Sequence, residues 1–224
     1  MPCYNSFFMS GTDRKKGEDE MSWWNFTPPE IEKPSNRTFF FGYGSLMYPS
    51  GINGRGMIHR YGWEDLNTAR LKGFERSLCA RAERRLYYGL REEKDVIING
   101  TVFEVFDDYD YTRLMMSEGA HPAFGQSMVY KSVDVTKQIY NFDIIEDMKI
   151  FAVIPIFPTD KGIVPVNYVA DVWHGIKNWG PDFQNEFAKT GGRKYDKSII
   201  EAYILSLRNE EIFNSKGKKI NKFV

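Results

Sequence analysis

The fold is decided by the stretch Phe39-Phe40-Phe41-Gly42-Tyr43-Gly44-Ser45-Leu46-Met47, in which an aromatic strand runs directly into a glycine turn. Aromatic side chains favour the pleated, half-buried surface of a sheet. Gly42 and Gly44 can adopt positive φ and can let another backbone or a ligand approach closely. The N–H groups of residues 43–46 can then form a nest for an anion or oxyanion. An ordinary strand end with a glycine turn fits the same residues.

The composition indicates a globular protein, since 42% of the 224 residues are hydrophobic and 27% are charged. Thirty basic and thirty acidic residues cancel, so no global field recruits nucleic acid or an anionic membrane. No run approaches the roughly 20 apolar residues of a membrane span, and the polar residues 1–20 do not resemble a signal peptide. The two cysteines, Cys3 and Cys79, cannot make a disulfide framework. A reducing cytoplasm is therefore the simplest location, and the oligomeric state is left open.

Two parts of the chain differ in composition. Residues 1–36 are rich in charge and are interrupted by prolines, so they are predicted to form a flexible N-terminal arm. Residues 37–224 are predicted to form the folded domain. Because strand patterns come first and helical patterns last, we expect an α+β fold with a mixed β-sheet or small β-barrel, flanking helices and a helical C-terminal extension.

The local patterns place the elements within this domain. Asp107 and Asp108 offer an N-cap for a short helix that ends at Gly119. Residues 48–62 contain several glycines and are predicted to form a long loop. Strands are predicted over residues 38–41, 70–80 with a continuation at 84–90, 96–106, 126–136 and 148–157. Three helical apolar stripes follow, the last over residues 199–207.

The sequence does not predict a metal site. His59, His121 and His174 are widely separated, and the spacing Glu118-x-x-His121 occurs only once, directly before a proline that ends the helix. Two other familiar motifs also fail. Gly-Tyr-Gly-Ser-Leu does not match the Gly-x-Ser-x-Gly of serine hydrolases, and the glycines of residues 51–56 lack the Gly-Lys-Ser/Thr ending of a phosphate-binding loop.

One carboxylate remains as a candidate for chemistry. Glu118 lies at a helix end between two predicted strands, in a stretch with few neighbouring charges. A carboxylate held against a glycine turn can act as a general base or acid. A surface glutamate at a helix terminus fits the same position.

Motifs in the right order resemble the gamma-glutamylcyclotransferase-like family, which includes the AIG2-like proteins. Phe-Gly-Tyr-Gly-Ser-Leu at 41–46 resembles the N-terminal signature of that family. Further similar segments are 71–76 (leucine-x-glycine-aromatic-x-arginine), 99–105 (a glycine-containing central strand), 114–119 (Leu-Asp-x-x-Glu-Gly) and Pro165-x-x-Tyr168 (a late helix). Together they span roughly residues 38–180.

The resemblance implies an intramolecular aminolysis, in which the substrate's α-amine attacks its own γ-carbonyl and releases 5-oxoproline. It implies that Glu118 is the general acid/base, that the substrate is a small γ-glutamyl compound, and that no cofactor or metal is needed. The residues that it places around the substrate are Tyr43, Gly44, Ser45, Leu46 and Tyr168.

Departures from the family pattern leave the substrate open. Met115 stands where the family usually has aspartate, and the helical C-terminal extension has no counterpart. Two other function classes therefore remain. One is a catalytically inactive binding module on the same scaffold. The other is an enzyme that hydrolyses or transfers a different acyl-amine, such as a γ-glutamyl isopeptide.

Overall fold

A computed structural model describes residues 29–82 and 84–190. Residues 1–28, residue 83 and residues 191–224 lie outside that part. The apolar stripe predicted over residues 199–207 therefore lies outside the described residues.

Six strands form one mixed sheet that curls into a half-barrel. The strands are β1 (Arg37–Gly42), β2 (Asn67–Ala82), β3 (Arg85–Val105), β4 (Tyr130–Asp134), β5 (Ile139–Tyr140) and β6 (Met148–Pro155). Their order across the sheet is β4-β6-β1-β3-β2-β5. β1 and β6 are parallel, whereas all other neighbours are antiparallel.

Four α-helices flank this sheet. They are α1 (Pro49–Asn53), α2 (Asp108–Ser117), α3 (Val166–Gly175) and α4 (Pro181–Thr190). No helix in residues 29–82 and 84–190 is long and apolar enough to cross a membrane. The combination of a mixed sheet with flanking helices confirms the predicted α+β class.

Three predicted element boundaries are wrong, and of the strand predicted over residues 126–136 only β4 (Tyr130–Asp134) forms. Residues 84–90 and 96–106 belong to a single strand, β3, which pairs with β2 as a long hairpin. Charged residues at 91–95 do not end the strand. β2 pairs with β3 up to Glu92 and again from Ile97, with an irregularity between Lys72 and Phe74, and the charged side chains between these points are largely exposed. The predicted loop over residues 48–62 also contains α1, a short helix that begins at Pro49. Proline is favoured in the first helical turn, where its missing N–H has no partner to lose.

The aromatic strand lies at the centre of the sheet and contributes to both of its faces. Phe39 and Phe41 belong to a core cluster that includes Val169, Val172 and other residues of α3 and α4. Phe40 points into a second cluster that includes Leu114 of α2. This alternation follows from the period of two in a strand, and it explains why β1 is buried on both sides.

Residues 29–36 of the predicted arm lie against α2 and the residues just after it. The N–H of Ile31 donates to Thr112 Oγ1 at 3.0 Å, and the N–H of Lys33 donates to Asp108 Oδ1 at 2.8 Å. The carbonyl oxygen of Pro29 lies 3.1 Å from Nε2 of the fully buried His121. The last residues of the arm are thus hydrogen-bonded to the domain, and the division at residue 37 remains a prediction.

Candidate active site

One cavity of about 1160 Å³ brings the predicted site residues together. Its walls come from the turn after β1, from α1 and the loop that follows it, from the C-terminal end of α2 and from α3. Its lining includes all six residues predicted from the sequence, namely Tyr43, Gly44, Ser45, Leu46, Glu118 and Tyr168. Small-molecule sites usually measure roughly 300–1,000 Å³, so a dipeptide-sized ligand fits this cavity.

Glu118 reaches the cavity because α2 ends at this residue. Asp107 caps the N-terminus of α2 by accepting from the N–H of Asp110, as the sequence predicts. Glu118 is the C-cap residue, and its N–H still donates to Leu114 O at 3.0 Å. Gly119 then reverses the chain with φ of 67°, a conformation that favours glycine. The Glu118 side chain is 15% exposed, so it lies against the cavity rather than in bulk solvent.

Arg55 forms an ion pair with Glu118, which the sequence reasoning missed. Arg55 Nη2 lies 2.8 Å from Glu118 Oε1, and the two side chains are 11% and 15% exposed. The same Nη2 donates to Ser45 Oγ at 2.6 Å. An opposite charge at this distance stabilises the ionised carboxylate, which is the form that accepts a proton. The only sequence signal for Arg55 is its place between Gly54 and Gly56, in a loop otherwise poor in charge.

α2 also positions the loop that carries Arg55. The fully buried carboxylate of Asp110 accepts from the N–H of Ile58 at 2.5 Å and from the N–H of His59 at 3.0 Å. The N–H of Arg55 itself donates to Ile52 O at 2.9 Å. The first turn of α2 therefore fixes the loop of Arg55, while its last residue places Glu118. One helix thus sets the geometry of the ion pair.

The glycines of the turn are needed for close approach and not for a positive φ. Neither residue is among those with positive φ, and Gly44 has φ of −138°. A Cβ at Gly42 would lie 2.2 Å from Leu46 O, and one at Gly51 would lie 1.8 Å from Ser45 O. The turn therefore folds tightly onto itself and onto α1, which excludes side chains at these positions.

Backbone amides of the turn are available to a ligand. The N–H groups of Tyr43, Gly44, Ser45 and Leu46 donate to no acceptor within residues 29–82 and 84–190, whereas the N–H of Met47 donates to Gly44 O. All four residues line the cavity. Backbone N–H groups without an internal partner are suited to an oxyanion or carboxylate, because they offer partial positive charge without side-chain rearrangement.

Six tyrosines of the described residues line the cavity, and the pKa values of three of them are strongly raised. Burial raises the pKa of Tyr43, Tyr130 and Tyr168 well above the ordinary value, and the Glu118 carboxylate adds to each shift. The Tyr43 hydroxyl donates to Val153 O. Tyrosines in this state serve as hydrogen-bond donors, not as bases. The proton-accepting role in the cavity therefore falls to a carboxylate.

Tyr168 lies directly opposite the glycine turn. A Cβ at Gly44 would be 3.0 Å from Tyr168 Oη and 3.4 Å from Tyr88 Cβ. The Tyr168 ring packs edge-on to Tyr87, with ring centroids 5.0 Å apart. The late helix therefore brings its tyrosine to the turn at 43–46. Tyr87 and Tyr88 were not predicted, because the alternation of β3 could not be assigned to a face from the sequence.

Further polar groups of the lining come from α3 and from the 3-10 turn that follows it. Asp171, His174 and Asn178 line the same cavity. Desolvation raises the pKa of Asp171, while His174 opposes that shift. No group of three or more His, Cys, Asp or Glu side chains that could hold a metal ion occurs in the described part of the chain.

Comparison with solved structures identifies the fold. YkqA from Bacillus subtilis superposes with a TM-score of 0.51 at 18% identity, over 70% of this chain and 54% of YkqA. The chain thus spans about half the length of YkqA. An uncharacterized protein from Homo sapiens and a gamma-glutamyl cyclotransferase each match with a TM-score of 0.49 at 13% identity, over 74% of this chain and 99% of theirs.

The match to YkqA, at 18% identity, shows the fold of this chain and not an activity. That fold fits the predicted gamma-glutamylcyclotransferase-like architecture. No family model matches the sequence, and no curated protein matches it.

Proposed function

We propose that this protein releases 5-oxoproline from a small γ-glutamyl compound by intramolecular aminolysis, with Glu118 as general acid/base. The observation that carries the proposal is the position of Glu118. It is an ion-paired carboxylate, 15% exposed, that lines the same cavity as four unpaired backbone N–H groups. A proton acceptor and an oxyanion site in one cavity are the two elements that acyl transfer to an amine requires.

A single carboxylate is sufficient for the proton transfers of this reaction. The substrate's α-ammonium must lose two protons overall as its nitrogen forms the bond to the γ-carbon. The leaving nitrogen gains two protons as its bond to the same carbon breaks. Ionised Glu118 takes each proton and returns it to the leaving nitrogen, so the enzyme ends unchanged. Arg55 supports this cycle because it stabilises the ionised form of Glu118.

The turn at residues 43–46 is assigned to the γ-carbonyl. Attack by the amine places negative charge on the carbonyl oxygen, and unpaired N–H groups hold that charge without reorganisation. Tyr168, across from Gly44, closes the opposite side of this subsite. Because the attacking amine and the carbonyl belong to one molecule, proximity supplies much of the rate enhancement.

The experiment is an assay of 5-oxoproline release from γ-glutamyl amines, γ-glutamyl amino acids and glutathione. Release from at least one of them, lost in Glu118→Gln, supports the proposal. Binding without release from any of them would favour the inactive binding module. Release of free glutamate in place of 5-oxoproline would favour hydrolysis of an acyl-amine.

A further inference from the structure

Arg76 is the largest of the fully buried side chains in the described part of the chain. It belongs to β2, and its guanidinium reaches the neighbouring strand β3. Nη1 donates to Asn99 O at 2.8 Å, and Nη2 donates to Asn99 Oδ1 at 3.0 Å. A buried charge is costly unless its hydrogen-bond donors find acceptors. This network therefore holds the guanidinium in one position within the core.

The C-terminal end of α4 supplies further acceptors. Nη2 of Arg76 also donates to Phe187 O at 3.1 Å and to Thr190 Oγ1 at 2.9 Å. The Phe187 ring faces the guanidinium, with Cζ of Arg76 3.7 Å from the ring centroid. A cation is favoured here, because the last carbonyl groups of a helix carry partial negative charge. α4 begins at Pro181, so this contact comes from outside residues 38–180, which carry the family resemblance.

Arg76 also reaches the turn of the candidate site. Its Nη1 lies 3.5 Å from Tyr43 O, and the Tyr43 hydroxyl is held separately by Val153 O. A trans peptide directs its C=O and its N–H to opposite sides. The Tyr43 carbonyl points into the core at Arg76, so the N–H of Gly44, which belongs to the same peptide, points away from the core. Gly44 lines the cavity, and this N–H donates to no acceptor within residues 29–82 and 84–190.

We propose that Arg76 is a positioning residue for the candidate site. It holds the peptide between Tyr43 and Gly44 so that the N–H of Gly44 faces the substrate carbonyl, and α4 holds Arg76. The inference rests on the proposed function, in which this N–H stabilises the oxyanion. Arg76 itself is fully buried and does not line the cavity, so it acts through the turn and not on the substrate.

The other carbonyl groups of the turn show why this peptide needs a distant partner. Gly44 O accepts from the N–H of Met47 at 3.2 Å, within the turn itself. Leu46 O accepts from Thr101 Oγ1 at 3.2 Å. Tyr43 O instead accepts from a side chain 33 residues further along the chain. If this peptide turned over, its carbonyl oxygen would face the cavity and repel the developing oxyanion in place of binding it.

The test compares wild type, Arg76→Lys and the matched control Val105→Ala. Lysine keeps the charge but lacks the planar fork, so it cannot serve Tyr43 and α4 at the same time. Val105 is fully buried in the second core cluster and does not line the cavity, so its truncation lowers stability without touching the turn.

Three measurements are made on each protein. kcat and KM are determined for 5-oxoproline release from the γ-glutamyl compound of the assay panel that wild type turns over fastest. Urea denaturation shows how far each substitution lowers stability. Crystal structures of the three proteins give the direction of the Tyr43 carbonyl, which does not depend on any activity.

Arg76→Lys is expected to lower kcat at least roughly tenfold and to change KM less than about threefold, because the oxyanion forms only in the transition state. Val105→Ala should keep the wild-type kcat. Equal kcat values for Arg76→Lys and Val105→Ala would overturn the assignment, as would a Tyr43 carbonyl that keeps its direction in Arg76→Lys. A displaced carbonyl in Arg76→Lys, together with a wild type that releases no 5-oxoproline, would contradict the proposed function but support the positioning by Arg76.

Thr190→Val provides a second test if Arg76→Lys fails to fold. This substitution keeps the shape of the side chain and removes one acceptor of the guanidinium. We expect kcat to fall roughly two- to tenfold with little change in KM, the usual effect of one hydrogen bond. An unchanged kcat in the folded Thr190→Val protein would overturn the role of α4 in holding Arg76.

Discussion

Arg55 Nη2 lies 2.8 Å from Glu118 Oε1 and joins the glycine-rich loop to the end of α2. The pair is mostly shielded from water, so removal of one partner would leave the other charge poorly compensated. The sequence indicates Glu118 by its position at a helix end. Arg55 lies in a loop and has no motif that indicates it, and the two residues act together. The following predictions test the surroundings of this pair.

Gly44→Ala is expected to weaken substrate binding more than Ser45→Ala does. A methyl group at position 44 would lie 3.0 Å from Tyr168 Oη, so the tyrosine must move out of the cavity wall. Ser45→Ala removes one hydrogen bond to Arg55 and keeps the turn. We expect KM to rise roughly tenfold for the first variant and less than about fivefold for the second. Steady-state kinetics decides this, and a larger effect of Ser45→Ala would show that the turn itself is not in contact with the substrate.

Gly42→Ala is expected to destabilise the domain. A Cβ at this position would lie 2.2 Å from Leu46 O, and a backbone atom cannot rotate away as a side chain can. The free energy of unfolding should fall by roughly 2 kcal/mol or more, measured by urea denaturation. Gly44→Ala serves as the comparison, because its nearest contact is a side-chain hydroxyl. Equal stability of the two variants would contradict the tight turn.

Deletion of residues 1–35 is expected to lower the Tm more than deletion of residues 1–28. The longer deletion also removes the hydrogen bonds of Pro29, Ile31 and Lys33 to the domain. Without Pro29, the fully buried His121 also loses the partner of Nε2. Loss of a partner for a buried polar group costs about 1–3 kcal/mol. Differential scanning calorimetry of both proteins measures the effect, and indistinguishable Tm values would show that these residues do not belong to the domain.

Stability is expected to fall above about pH 10 because of the buried tyrosines. Burial raises the pKa of Tyr43 in the folded protein, so between about pH 10 and that raised value only the unfolded chain loses the proton. The contribution is complete below pH 10 and is lost at about 1.4 kcal/mol per pH unit for each such tyrosine. Urea denaturation from pH 9 to 11 gives the slope. Tyr43→Phe should show a smaller slope than wild type, and an unchanged slope would contradict the assigned burial.

The sequence was informative where one local pattern decides the structure. The aromatic strand of residues 39–41, the Asp107 cap and the stop at Gly119 all appear as expected, because each depends on neighbouring residues only. The long β3 was divided in two, since β2 pairs with it on both sides of its charged middle section and that pairing is not part of its own pattern. Strand pairing between distant segments is not visible in a single sequence.

The candidate site likewise combines residues that the sequence indicates with residues that it does not. Glu118 and the turn at residues 43–46 carry recognisable motifs, and the structure places both at one cavity. Arg55 has no motif of its own, and it meets Glu118 only because Asp110 folds the loop onto α2. Gly44 does not adopt a positive φ. A glycine is needed at this position because the Tyr168 side chain, which is distant in sequence, lies close to it.

The central claim is that Glu118 transfers protons in the release of 5-oxoproline, and Glu118→Gln tests it most directly. The amide keeps the size of the side chain but cannot accept the proton, so kcat should fall by at least roughly 100-fold. Loss of the charge facing Arg55 should also cost about 1–3 kcal/mol of stability, so folding is verified by urea denaturation. The matched control is Glu104→Gln, which removes an ion pair with Arg37 away from the cavity and should keep the wild-type kcat. A folded Glu118→Gln protein that releases 5-oxoproline at the wild-type rate would contradict the account.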